Sequence, residues 1–359
     1  MKRLQRISVV ALSIASVMAI VACQNSAQQS QADKNSDGLS AGAECRTVQH
    51  EMGSTEICGQ PQRIVVFGPA NLESLLLLDV HPAGYATDIT FFQGDYDNPI
   101  QQIPYLGNRI ASLKENRVTK PIANVGTMHQ PSIEAILKTE PDLIIGTEFD
   151  ETVYDTLARI APTLLLDYYS PEENLRAIAQ AVNRTESVEP LLVQTQQRIA
   201  TAKEAFAPIV AAYPKVLLLS GSQLQNIRLE DAFDACGSSI KELGFQLVYP
   251  SEIKKNHSDG AVPISLESLP AFKDVDLILF LGYNFSYSQD LDSTDSIESY
   301  QLSGIKQAWK ESPVAQSLEQ SKADKVYFLQ GYLCGSLPGP IGTELYLEEL
   351  QEQLLFSKP

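Results

Sequence analysis

The sequence has few histidines and few basic residues, and both shortages limit what it can do. Only four histidines occur among 359 residues, so a zinc site with three or four histidine ligands would use nearly all of them. The 27 Lys and Arg residues are outnumbered by 44 Asp and Glu, which gives a formal net charge of −17. A nucleic-acid-binding surface needs a basic stripe to neutralise phosphates. We therefore expect neither a dedicated zinc protein nor a nucleic-acid partner.

The motifs of several common catalytic sites are also missing. The chain has no G-x-S-x-G nucleophile elbow, no phosphate-binding P-loop, no G-x-G-x-x-G and no H-E-x-x-H. We therefore expect a binding protein and not an enzyme. A hydrolase that uses a serine, His257 and an aspartate stays open as the alternative from another functional class, and turnover of activated esters would reveal it.

The first 22 residues predict a signal peptide that does not belong to the fold. Lys2, Arg3 and Arg6 form a positive segment, and an apolar stretch that is short for a membrane span follows it. The stretch ends at Cys23 after small residues, which resembles a bacterial lipobox, where the cysteine receives lipid and becomes the new N-terminus. The alternative is an ordinary secretory signal with a chance cysteine. Residues 23–44 are rich in Gln, Ser and Asn and predict a flexible tether.

Four cysteines remain in the mature chain, and export permits disulfides. Cys45 and Cys58 flank a short predicted hairpin within residues 45–60, and we expect a bridge between them. Cys236 and Cys334 either form a second bridge or stay as buried thiols. No C-x-x-C occurs, so neither a redox nor a zinc role has support.

Apolar runs alternate with helical patterns along residues 61–185. Ile64–Phe67 reads as a buried strand, and Leu72–Leu78 as the helix after it. A second helix is predicted to open with Pro131 in its first turn and to turn Ile133, Ile136 and Leu137 inward. A buried strand marked by an aspartate then follows. This alternation predicts an α/β lobe with a mostly parallel sheet.

The second half of the chain, residues 214–359, repeats this plan. In each half a helix carrying an outward glutamate precedes a strand marked by an aspartate, first Glu134 and Asp142, then Glu267 and Asp276. Residues 186–213 are strongly helical in composition and predict one stiff linking helix. A chain of this length and 44% hydrophobic content can bury two cores. The predicted fold is therefore α/β, with two Rossmann-like lobes of mostly parallel sheets, a single long helix between them and a ligand cleft between the lobes.

The order and spacing of several short segments resemble those of substrate-binding lipoproteins of bacterial ABC importers, in the class III group with a helical backbone between lobes. The matching segments are 63–66, 71–76, 125–127, 132–136, 141–145, 173–175, 265–269, 275–278 and 325–328. The preface with Cys45 and Cys58 points to the ferric-siderophore and ferric-citrate branch, with haem or cobalamin as the alternative cargo. The resemblance implies a monomer held outside the cytoplasm by its lipid, on the periplasmic face if the host has two membranes. It also implies a ferric chelate of citrate or hydroxamate type as ligand, no intrinsic cofactor and an ABC permease dimer as partner.

The ligand site is expected where loops leave the carboxyl ends of the strands. Aromatic and polar residues in or near these loops are the candidates for ligand contact: Asn71, Phe91, Phe92, Tyr96, His129, Tyr283, Trp309 and Tyr332. An anionic chelate also needs a cation, and Arg109 and Arg228 lie in predicted loops, with a surface salt bridge as the alternative role of each.

The resemblance implies two further roles. Some members complete the coordination of ferric iron with a loop histidine and a tyrosine, which would be His257 and Tyr332 here; the alternative for His257 is an exposed loop residue. Glu134 and Glu267, one in each lobe, match the positions that dock to the two-fold transporter. The plainer reading of both glutamates is a favourable charge near the start of a helix.

Overall fold

A computed structural model describes residues 44–87, 105–106, 122–231, 235–249, 261–272, 274–284 and 294–356, with the backbone alone described for residues 294–298. The described part begins with an antiparallel hairpin of β1 (Cys45–His50) and β2 (Gly53–Cys58). Cys45 lies opposite Cys58 in the hairpin register, and the two form a disulfide as predicted.

The hairpin packs on the lobe that follows it. The Arg46 guanidinium donates hydrogen bonds to the backbone oxygens of Gly59, Gln180 and Ala181. Because the last carbonyls of a helix lack intrahelical partners, this arginine caps the helix that ends at residue 181. The Cys45 to Cys58 preface is therefore part of the folded body.

The N-terminal lobe is built on a six-stranded sheet in the order β6-β5-β4-β3-β7-β8, parallel except for the short β6. Its strands are β3 (Ile64–Phe67), β4 (Pro82–Thr87), β5 (Ala123–Thr127), β6 (Gln130–Pro131), β7 (Leu143–Thr147) and β8 (Thr163–Leu166). Its helices are α1 (Pro69–Leu77), α2 (Ile133–Thr139), α3 (Tyr154–Leu157) and α4 (Pro171–Ala181), with 3₁₀ turns at Glu148–Val153 and Thr185–Ser187.

One long helix, α5 (Val188–Ala212), leads to the second lobe. Its 25 residues span about 37 Å at 1.5 Å per residue. Phe206 is fully buried on its inner face, and Arg198 forms an ion pair with Glu344 of the C-terminal lobe. This is the single linking helix that the composition predicts.

The C-terminal lobe has a second six-stranded sheet, in which β12-β10-β9-β13-β14 run side by side and β11 also pairs with β9. Its strands are β9 (Lys215–Gly221), β10 (Arg228–Leu229), β11 (Gln246–Leu247), β12 (Val262–Pro263), β13 (Leu277–Gly282) and β14 (Val326–Gln330). Its helices are α6 (Ala235–Glu242), α7 (Thr294–Glu311), α8 (Pro313–Ser317), α9 (Glu319–Lys322), α10 (Tyr332–Gly335) and α11 (Pro340–Gln351), with 3₁₀ turns at Leu224–Asn226 and Leu266–Ala271 and a π-helical end at Glu352–Phe356. The predicted α/β fold of two sheets is confirmed.

The two aspartates that mark the repeated plan do the same work in each lobe. The Asp142 carboxylate accepts hydrogen bonds of 2.8 Å from the backbone N–H groups of Gln62 and Arg63. The Asp276 carboxylate accepts one of 2.8 Å from Lys215 N. Each carboxylate thus joins the starts of two neighbouring parallel strands, β3 with β7 and β9 with β13.

Two local predictions about the second helix are wrong. Pro131 belongs to β6, and the helix begins after Ser132, whose hydroxyl caps it by accepting from Ala135 N. Leu137 was expected to face inward but is 53% exposed, whereas Ile136 is fully buried. A seven-residue helix against a sheet buries one narrow stripe, and Leu137 lies beyond its edge.

A buried carboxylate of the N-terminal lobe holds the first turn of α11 in the C-terminal lobe. Glu73, fully buried in α1, accepts hydrogen bonds from Gly339 N at 3.0 Å, Ile341 N at 2.6 Å and Gly342 N at 3.0 Å. Pro340 has no N–H, so the carboxylate serves every donor at the start of this helix. A Cβ on Gly339 would lie 2.8 Å from Glu73 Cδ, so this approach requires glycine. One cluster of buried apolar residues also runs continuously from the hairpin through both lobes.

No helix in the described ranges combines the length and the apolar character needed to cross a membrane.

Loss of the Glu73 carboxylate should weaken the whole fold. Glu73→Ala leaves three buried N–H groups without an acceptor, so we expect the free energy of unfolding to fall by about 3–5 kcal/mol. Glu73→Gln keeps the shape and one oxygen but turns an amide donor toward an N–H, so we expect a loss of about 1.5–3 kcal/mol. Urea unfolding followed by circular dichroism measures both changes.

Glu204→Ala is the matched control, because Glu204 is exposed on α5. It should change the free energy of unfolding by less than about 0.5 kcal/mol. If Glu73→Ala were as stable as this control, the start of α11 would not depend on the carboxylate.

Candidate functional site

The described loops at the carboxyl ends of the parallel strands come from both lobes. In the N-terminal lobe they follow β3 at Gly68, β5 at the hairpin 127–131, β7 at 148–153 and β8 at 167–170. In the C-terminal lobe they follow β9 at Ser222, β13 at Tyr283 and β14 at Gly331. Open parallel sheets bind ligands at this edge, so these loops form the candidate site.

Four aromatic side chains follow one another along the N-terminal loops, and we call them the aromatic row. The ring centroids lie 6.4 Å apart between His129 and Phe149, 5.8 Å between Phe149 and Tyr168, and 5.6 Å between Tyr168 and Tyr169. Phe149 and Tyr169 are 46% and 51% exposed. Exposed apolar rings on a binding edge offer a bulky organic ligand a surface on which to pack.

The aromatic row also reaches the opposite lobe. The Tyr168 hydroxyl donates a 2.7 Å hydrogen bond to the backbone oxygen of Gly335, at the end of α10. Nearby, Tyr105 donates from its hydroxyl to the side-chain oxygen of Gln330, and its ring lies 6.2 Å from that of Tyr332. The two walls of the site are therefore in direct contact.

Two carboxylates lie beneath the aromatic row and have raised pKa values. Burial is the main cause for Glu148, with Asp167 and Glu51 adding repulsion, while the N–H of Tyr168 opposes the shift by donating to Glu148 Oε2 at 2.9 Å. Burial also raises the pKa of Asp150, against hydrogen bonds from Thr147 and the charge of His129. Both carboxylates therefore become protonated at a higher pH than an exposed carboxyl group.

A cavity of about 380 Å³ lies between the lobes beside the linking helix. Tyr168 and Tyr169 line it from the N-terminal lobe, residues 334–335 and 338–340 line it from the C-terminal lobe, and Leu192 and Ile199 of α5 lie between them. This volume lies within the usual range for small-molecule sites. Tyr168 thus contacts both the aromatic row and this cavity.

Three of the predicted ligand residues are buried and have structural contacts. Asn71, 1% exposed, donates to the backbone oxygens of Phe67 and Gly146 and so joins the ends of β3 and β7. Tyr332 is also 1% exposed. Trp309, 3% exposed, packs against Phe280 and Phe328 in the core of the C-terminal lobe. These buried positions do not support ligand contact by the three residues, and they do not support iron ligation by Tyr332.

Of three other predicted ligand residues, His129 and Tyr283 lie in loops as predicted, whereas Arg228 was expected in a loop but belongs to a strand that pairs on both sides. His129 is exposed in the β5–β6 hairpin, next to Phe149. Tyr283 is half-buried directly after β13. Arg228 is half-buried in β10, and its guanidinium donates to the backbone oxygen of Ala261. Their role in ligand binding stays a prediction.

Several predicted residues lie outside the described residues: Cys23, Phe91, Phe92, Tyr96, Arg109 and His257.

Cys236 and Cys334, for which pairing and free thiols were both open, form a disulfide that joins α6 to α10 directly after β14. Among the described residues, the one cluster with the donors for a metal ion is Cys45, Glu56 and Cys58, and its two sulfurs are taken by the disulfide.

The two predicted docking glutamates are both exposed. Glu134 lies in the first turn of α2, where Lys138 Nζ approaches its carboxylate to 2.8 Å and lowers the pKa of that carboxyl. Glu267 lies in the first turn of the 3₁₀ helix Leu266–Ala271, whose Leu269 is buried. Each carboxylate is therefore free to meet a partner surface, which is what docking requires.

The sequence prediction omits Phe149, Tyr168 and Tyr169. These residues also follow the carboxyl ends of predicted strands, which is the criterion that selected the other loops. The apolar run of β7 ends just before Phe149, and that of β8 ends just before Tyr168. What the sequence does not show is that the hairpin bearing His129 approaches the end of β3, where Met128 Sδ lies 2.9 Å from the place of a Cβ on Gly68.

The chain belongs to the periplasmic binding protein family, whose model matches residues 64–333. It is 29% identical over 289 residues to the "Probable siderophore-binding lipoprotein YfiY" of Bacillus subtilis, a match that covers 78% of this chain and 80% of the relative. It is 25% identical over 326 residues to the "Fe(3+)-citrate-binding protein YfmC" of the same organism, covering 88% of each chain.

A solved structure confirms the fold. The crystal structure of Staphylococcus aureus SirA complexed with staphyloferrin B superposes with a TM-score of 0.65 at 23% sequence identity. The match covers 86% of this chain and 98% of that one. The two proteins therefore share the same fold.

Proposed function

We propose that this protein captures a ferric siderophore outside the cytoplasm and delivers it to an ABC importer. The observation that carries the proposal is the aromatic row, which places exposed rings on the ligand-binding edge of a periplasmic binding protein fold. Relatives named for binding siderophores and ferric citrate support the ligand class. The family is one of binding proteins, and the proposed iron is cargo that arrives within its chelate.

Calorimetric titration of the purified mature protein tests this function. We expect at least one ferric chelate among hydroxamate, catecholate and citrate complexes to bind with a Kd of about 1 μM or tighter. Haem and cobalamin should not bind. Trp309 is buried in the core, so heat is a better signal than tryptophan quenching. Binding of haem or cobalamin alone would assign the alternative cargo, and turnover of an activated ester would favour a hydrolase.

We also propose that Cys23 carries the lipid that anchors the protein. YfiY is named a lipoprotein, and the N-terminal pattern of this chain ends in a cysteine after small residues. Cys23→Ala should leave the protein in the aqueous phase of a detergent partition, because lipid chains alone would hold it to the membrane. Ligand affinity should stay at the parental value. Equal partition of variant and parent into detergent would disprove lipidation at this residue.

Glu134 and Glu267 are proposed to dock the protein to the transporter, one in each lobe. Each exposed charge at a protein interface contributes on the order of 1 kcal/mol, so Glu134→Ala and Glu267→Ala should each reduce uptake roughly 3- to 10-fold. The double variant should transport almost nothing. Uptake into vesicles that contain the importer measures this, beside ligand titration in solution.

The matched control is Glu186→Ala with Glu204→Ala, two exposed glutamates of the linking segment. This control should transport at the parental rate. Docking would be ruled out by normal uptake in the Glu134 and Glu267 double variant, or by a loss of ligand affinity that parallels the loss of uptake.

A further inference from the structure

The N-terminal wall of the candidate site is acidic as well as aromatic. Three of its described loops, residues 127–131, 148–153 and 167–170, contain the carboxylates Glu148, Asp150, Glu151 and Asp167 and no Lys or Arg. His129 is the one histidine in these three loops. These three described loops, which carry the aromatic row, therefore bear a net negative charge.

Three of these carboxylates accept hydrogen bonds, which favour the ionised form and oppose the burial that raises the pKa of Glu148 and Asp150. Asp150 accepts from the backbone and hydroxyl of Thr147, Glu148 accepts from Tyr168 N, and Asp167 accepts from Ser170 Oγ at 2.6 Å. All of these donors are neutral. Within the described part of the chain, none of the four carboxylates forms an ion pair with Lys or Arg.

In the C-terminal wall, the positive charge of Arg228 is offset by acidic residues close to it in the sequence. Arg228 is followed closely by Glu230 and Asp231, and its guanidinium is engaged by the backbone oxygen of Ala261. Glu230 is 8% exposed and accepts from the hydroxyl of Ser220. Burial, then Asp231 and Glu230, raise the pKa of Tyr249 nearby, as expected in a locally negative environment.

Ferric chelates differ in charge by their chemistry. Three hydroxamates carry one negative charge each and neutralise ferric iron, so the complex is uncharged, or cationic when the chain ends in an ammonium group. Three catecholates carry two charges each and leave the complex at −3, and ferric dicitrate is also anionic. Carboxylates that remain ionised at the site repel the anionic complexes, and aromatic faces attract an ammonium group.

Resting on the proposed function, we propose that the preferred ligand is an uncharged or cationic ferric trihydroxamate that packs against the aromatic row. Phe149 and Tyr169 supply the exposed faces for its methylene and amide segments, and Glu148 supplies the negative charge. This narrows the ligand class within the proposed function.

Calorimetric titration with four purified chelates tests the charge preference. The probes are ferrioxamine B, which is cationic, ferrichrome, which is uncharged, ferric enterobactin at −3, and ferric dicitrate. We expect both hydroxamate complexes to bind at least about 100-fold more tightly than either anionic complex. Raising the salt concentration should weaken ferrioxamine B more than ferrichrome, because only the former has a net charge to screen.

Two variants locate the preference on this wall. Phe149→Ala, at a half-exposed position, should weaken both hydroxamate complexes roughly 10-fold through lost ring contact. Glu148→Gln keeps the side-chain size and removes the charge, so it should weaken ferrioxamine B roughly 3- to 10-fold more than ferrichrome. The control, Glu186→Gln at the exposed start of the linking segment, should leave all four titrations unchanged.

Different titration results would overturn the charge preference and the proposed function. Tighter or equal binding of enterobactin or dicitrate, or an unchanged ratio of ferrioxamine B to ferrichrome in Glu148→Gln, would overturn the charge preference while leaving siderophore binding intact. No binding of any of the four ferric chelates would overturn both proposals.

Discussion

The buried carboxylate of Glu73 is the contact on which the relation between the two lobes depends. It lies in α1 of the first lobe and satisfies the backbone donors of a helix that begins 266 residues later. A helix start carries partial positive charge and unpaired N–H groups, so a carboxylate there gains both a favourable field and hydrogen bonds. Because both partners are buried, loss of the carboxylate alone would leave the donors of the helix start unpaired and away from water. This contact therefore joins the two lobes of the structure.

This contact has a consequence for binding. The segment after β14 carries Tyr332, one partner of the second disulfide and the Gly335 oxygen that receives the Tyr168 hydroxyl. It then enters the helix start held by Glu73. The two walls of the site are thus joined by contacts that do not involve a ligand. A preformed site loses less conformational freedom on binding, and it also limits selectivity to the shape and charge already present.

The sequence predicts the frame of the fold well because the frame depends on local patterns. Ile64–Phe67 is a strand in both prediction and structure, because a short apolar run that ends at Gly68 and Pro69 is typical of a buried strand. The aspartates at 142 and 276 mark equivalent strand starts because a carboxylate is needed there in each lobe. Glu73 and Trp309 show the limit. Glu73 is a charged residue in a mostly apolar helix, and Trp309 is a large aromatic residue in a mostly polar helix. Both are buried against partners that are distant in sequence, and the periodicity of the sequence does not reveal those partners.

The same limit explains why the site prediction favoured arginine and overlooked the aromatic row. A residue can be assigned to ligand binding only if its environment is known, and Arg228 differs from an unengaged cation because its guanidinium donates to the backbone oxygen of Ala261. Phe149 and Tyr168 belong to separate loops, yet the parallel pairing of β7 with β8 brings them within ring contact. The order of the strands in the sheet therefore determines which loops lie side by side. The loops that lie side by side here are aromatic and acidic. A charge balance taken over the whole chain could not reveal this, because −17 describes the surface as a whole and the ligand senses only the groups around it.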